Sequence, residues 1–139
     1  MMGISDADSA EHDTASGNLI ISPVACPVPG RLDGAPKLSG ACKLRIQPEC
    51  RLAGIYGTQE IEEEYFCNFE VNPAYHQRFE DSGMILAAFD QNGELRAVEM
   101  PARRFFVATL YQPQLSSTEA RPHPVIVEFV AAAGQSLHA

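Results

Sequence analysis

The run FFVATLY at residues 105–111 constrains the fold of this chain more than any other feature. It is apolar and rich in aromatic and β-branched side chains. Such a segment reads as a buried strand at the centre of a core. A strand of that kind needs partner strands and packed layers above and below it. Residues 41–46 alternate as a strand. Residues 19–28 are apolar and β-branched, but Pro23 and Pro27 leave room for one short strand at best. Residues 84–90 and 94–100 read as two strands joined by Gln91-Asn92-Gly93, a strong hairpin signal. Asn72 is an N-cap residue and Pro73 suits the first helical position, so the spacing predicts a helix over 73–81, stopped by Gly83. Tyr75 and Phe79 share one side of it. Pro122 and Pro124 precede a last helix over 125–133, closed by Gly134. Residues 50–57 are a mixed apolar stretch. The order gives an α/β or α+β fold with two helices. Residues 1–18, with Asp6, Asp8, Glu11 and Asp13, read as an acidic flexible segment, and 19–139 as one domain.

Charge and cysteine usage narrow the function. Ten Lys and Arg against eighteen Asp and Glu leave −8 over 139 residues, which argues against nucleic acid or an anionic membrane surface as partner. No apolar run approaches the roughly 20 residues of a membrane span. No secretory signal is present, so Cys26, Cys42, Cys50 and Cys67 read as reduced thiols of a cytoplasmic protein. They contain no C-x-x-C pair, so neither a zinc site nor any other metal or cofactor is expected. Glu60, Glu62, Glu63 and Glu64 read as a solvated strand edge, not a metal site.

Several short motifs recur in a recognisable order. Phe106-Val107-Ala108-Thr109-Leu110-Tyr111-Gln112-Pro113-Gln114 precedes Ser117-Thr118 and His123-Pro124. Upstream stand Ile55-Tyr56 and Phe69-Glu70-Val71-Asn72, and residues 3–13 read GISDADSAEHD. The pattern resembles the C-terminal half of the class I glutamine amidotransferase (glutaminase) domain of CTP synthase. That family carries F-V-A-x-Q-F-H-P-E, S-T-P, H-P-L, Y-E-V-N and G-L-x-D-A-x-S-x-E-F-D in the same order. The resemblance implies the C-terminal part of a class I amidotransferase-like α/β domain, a partial domain over 19–139 with a mixed sheet and two helices. It also implies a nucleophilic cysteine upstream of the region matched here.

The departures fall on the chemistry. The family's His and Glu of H-P-E match Gln112 and Gln114, and a carboxamide neither accepts a proton from a thiol nor stabilises an imidazolium. The family's R-H-R-H-R-Y segment, which lines the glutamine pocket, matches Glu64, Tyr65, Phe66, Cys67, Asn68 and Phe69. Its arginines have become Glu64, Phe66 and Asn68, which removes the bidentate donors for an α-carboxylate. The expectation is a degenerate relative without glutaminase activity. A second reading is an interaction module that pairs with a chain supplying the missing half, or with itself, through an uncovered sheet face or edge. A third is different thiol chemistry at Cys67, with Cys26 a weaker candidate. His12, His76, His123 and His138 read as structural or solvated, with His123 in a capping or turn role.

Overall fold

The computed structural model describes residues 3–25 and 33–135. Strands β1 (Ala7–Ser9), β2 (Asn18–Pro23) and β5 (Phe69–Val71) form a small sheet in the order β1-β2-β5. Strands β3 (Leu38–Ile46), β4 (Glu60–Cys67), β6 (Ile85–Asp90), β7 (Leu95–Glu99) and β8 (Val107–Thr109) form a larger one in the order β4-β3-β6-β7-β8. All neighbours in the larger sheet are antiparallel, whereas β1 runs parallel to β2. The helices are α1 (Arg51–Tyr56), α2 (His76–Asp81), α3 (Pro113–Ser116) and α4 (Pro124–Gly134), with a 3-10 turn at Pro73–Tyr75.

Local chemistry explains the elements read from sequence. Asp90 Oδ1 accepts from the amides of Asn92 and Glu94, and Gly93 takes a φ of 82°, which closes the β6–β7 hairpin. The Asn72 side chain accepts from the Ala74 amide and starts the turn that leads into α2. His123 Nδ1 accepts from the Val125 amide and caps α4. Two apolar clusters hold the layers together. One gathers Leu44, Ile46, Leu52, Tyr65, Ala88, Tyr111 and Val125, and the other Phe79, Met84, Leu95 and Met100.

Four expectations need correction. The run at 105–111 is not a central strand: only Val107–Thr109 pairs, and β8 is an edge. Beyond it the chain leaves β7, and the Gln112 amide donates to Glu64 O of β4 at 2.9 Å. Among the described residues there are four α-helices, where two were expected. The unforeseen α1 begins without a local side-chain cap; the Glu99 carboxylate, from β7, accepts from the amides of Arg51 and Leu52 at 2.8 and 3.0 Å. The acidic segment at 1–18 contains β1, and Ala10 is buried, its amide bonded to Ile21 O. Finally, Glu63 of the acidic run is 5% exposed, because alternation along β4 turns it inward between Ile61 and Tyr65. Cys26 and His138 lie outside the described residues.

Candidate functional site

The candidate positions converge only in part. Gln112 meets the expected pocket segment: its Nε2 donates to Phe66 O at 3.3 Å and its amide to Glu64 O. Gln112 is thus tied to two carbonyls of the edge strand β4, one through its side chain and one through its backbone amide. Gln114 lies exposed on α3. Along positions 64–69 the side chains alternate: Tyr65 is buried, Phe66 is 59% exposed, and Glu64, Cys67 and Phe69 are half-buried. Cys67 Sγ accepts from the Phe69 amide at 3.3 Å, and Asn68 Oδ1 accepts from the Lys37 amide at 2.9 Å. A cavity of about 1200 Å³, bounded by residues 43–48, 59–62 and 89–93, includes none of these residues.

Behind β4 lies a polar cluster that sequence reading missed. Glu63 Oε1 accepts from the Tyr56 hydroxyl at 2.5 Å and lies 3.0 Å from His123 Nε2. Tyr56 Oη is also 3.2 Å from both Tyr111 Oη and His123 Nε2. Because His123 Nδ1 accepts the Val125 amide, the ring proton sits on Nε2 and points to Glu63. Burial raises the pKa of Tyr56, Tyr65 and Tyr111 well above the usual phenol value, so all three hydroxyls stay protonated. Burial likewise pushes the Cys42 and Cys50 thiols up, away from the nucleophilic thiolate. Both ring nitrogens of His123 are engaged, and no thiol is among their partners. The signal for Glu63 was its parity in the strand, shared with Ile61 and Tyr65.

A second buried network involves Glu70, the acid of the Phe69-Glu70-Val71-Asn72 motif. Its Oε2 pairs with Arg96 at 3.0 Å, and Arg96 also pairs with Asp90 at 2.8 Å. Burial alone would pull the Arg96 guanidinium down, but the bonds to Asp90 and Glu70 outweigh it and hold it above its ordinary value. Among the described residues no group of acidic, His and Cys side chains is arranged to hold a metal ion.

No family model matches the chain. A CTP synthase of Chelativorans sp. is 38% identical over 105 residues, 75% of this chain and 19% of that protein. A CTP synthase of Acidothermus cellulolyticus is 33% identical over 96% of this chain and 25% of its own length. The structure of the Trypanosoma brucei CTP synthase glutaminase domain with bound acivicin superposes with a TM-score of 0.84 at 28% identity, over 97% of this chain and 53% of that one. The chain is CTP synthase glutaminase-domain-like. It spans about a fifth to a quarter of these CTP synthases. The mixed α/β architecture is that of a class I amidotransferase-like domain. Among the described residues no helix is long and apolar enough to cross a membrane.

Proposed function

We propose that these residues form a CTP synthase-type glutaminase fold that does not itself hydrolyse glutamine. The observation that carries the reading is Gln112. It stands where the resemblance implies the imidazole base, and its side chain is a structural donor to Phe66 O. A carboxamide has no proton to exchange near neutral pH, so it cannot activate a thiol or protonate a leaving ammonia. Gln114 is exposed and equally inert, and Glu64 replaces an expected cationic contact with a negative charge. The three losses agree in direction. The buried His123 does not substitute, since Glu63, Tyr56 and the α4 amide occupy it. Incubation of the purified chain with glutamine, with ammonia followed by a coupled assay, tests the reading. No release above the buffer rate is expected; sustained turnover that vanishes in Cys67→Ala would replace it with thiol chemistry at Cys67.

A further inference from the structure

Helix α4 is covered on one side only. Its sequence PVIVEFVAAAG is apolar on nearly every side, with Glu128 its one charged residue. A helix of that kind is normally covered all round. Here Val125 and Ala132 are the buried residues, and Val125 joins the core cluster that holds Leu52 of α1. On the opposite side of the helix, Val127, Val130, Ala131 and Gly134 recur at i, i+3, i+4 and i+7 and form one stripe. Val127 and Val130 are 47% and 61% exposed, and Ala131 is exposed beside them. Outside its own helix, nothing lies within 4 Å of where a Gly134 side chain would start.

The stripe is its own complement when turned end for end. Its first half presents two branched side chains, Val127 and Val130; its second half presents a methyl group at Ala131 and bare backbone at Gly134. In an antiparallel pair of α4 helices, Val127 of one copy faces Gly134 of the other, and Val130 faces Ala131. Each branched side chain then enters the hole that a small residue leaves, as ridges enter grooves. The arrangement closes on a two-fold axis between residues 130 and 131, with the same patch used by both copies. A parallel pair would set Val against Val and leave the Ala131 and Gly134 positions facing a gap. Glu128 is exposed and lies off the stripe, so the pairing buries no charge.

We propose that α4 is a self-docking surface, through which two copies of this chain pair antiparallel on Val127, Val130, Ala131 and Gly134. One pair of short helices buries less than the roughly 1,200–2,000 Å² of a stable complex, so the dimer is a weak one that forms at about micromolar concentration and parts on dilution. Each copy carries −8, and this like charge opposes the apolar contact until salt screens it. The inference is independent of whether the chain hydrolyses glutamine.

The test is equilibrium sedimentation of the full chain from about 1 μM to about 1 mM. A monomer–dimer equilibrium is expected, and its affinity should rise severalfold between about 0.05 and about 0.5 M salt. Gly134→Val fills the hole that receives Val127. Because the space there is open in the single chain, the variant should keep its circular dichroism and urea midpoint while dimerisation weakens about tenfold or more. Adding Val127→Ala exchanges the large and small positions and should recover about threefold or more of that loss. A chain that stays monomeric throughout the range overturns the proposal and leaves the stripe to a different protein. So does a dimer that Gly134→Val leaves intact, a loss that Val127→Ala does not recover, or an affinity that falls as salt rises.

Discussion

Removing the Glu63 carboxylate would leave two buried donors, the His123 Nε2–H and the Tyr56 hydroxyl, without their acceptor. Unmade bonds to buried groups cost more than made ones contribute. Glu63→Ala should therefore lose about 3 kcal/mol, read as a lower urea midpoint, and Glu63→Gln should lose less because it keeps an acceptor oxygen. Equal losses would show that the carboxylate's charge, which both variants remove, matters there and the acceptor oxygen does not. Tyr65 behaves oppositely. It is 1% exposed, and its hydroxyl has no hydrogen-bond partner among the described residues. Tyr65→Phe removes a desolvated polar atom without opening a cavity, so stability should hold or rise by about 1 kcal/mol. The same residue has a pH signature. Burial raises Tyr65 above the ordinary phenol value, so its contribution is complete below about pH 10 and is lost as pH climbs further. Tyr65→Phe should flatten the alkaline limb of a stability-against-pH curve and leave the slope through the neutral region unchanged.

Helix α1 shows what a local reading can and cannot find. Its cap is the Glu99 carboxylate, 48 positions from Arg51 in the chain. Glu99→Ala should fray α1 first, with faster amide exchange at Arg51 and Leu52, and cost about 2 kcal/mol globally. Unchanged exchange in α1 would mean that Leu52 packing alone holds it. The elements that sequence revealed carry their instructions nearby: Asn72 with Pro73, the Asp90–Gly93 turn, and His123 ahead of α4. Those it missed depend on distant partners. The run at 105–111 has the composition of a central strand, yet only three of its residues pair, and they pair with β7 at the edge of the sheet. The candidate site divides the same way. Motif matches singled out Gln112 and the 64–69 segment separately, whereas their contact and the Glu63–Tyr56–His123 cluster needed the fold, the latter bringing α1, β4 and α4 together.

The two sheets are joined through Arg96. Glu70 lies in β5 of the small sheet, Arg96 in β7 and Asp90 at the end of β6 of the large one, and all three side chains are at least nine-tenths buried. Ile20 and Val71 of the small sheet pack beside Leu95 in the same region, so the ion pairs sit within an apolar seam. Arg96→Met keeps most of the volume but strands two carboxylates in that seam. Stranding a buried charge costs about 3–5 kcal/mol, a large share of the roughly 5–15 kcal/mol that holds a domain folded. The variant should melt early, and amide protection should disappear from β1, β2 and β5 before it falls in β3 and β4. Adding Glu70→Gln removes one of the stranded charges while its amide can still meet the Ala25 N–H that Glu70 Oε1 now holds. The double variant should therefore recover part of the loss, although Asp90 stays charged and keeps its bonds to the hairpin amides. A double variant less stable than Arg96→Met would show that the Arg96 stem, through packing, joins the sheets and that the charges contribute little.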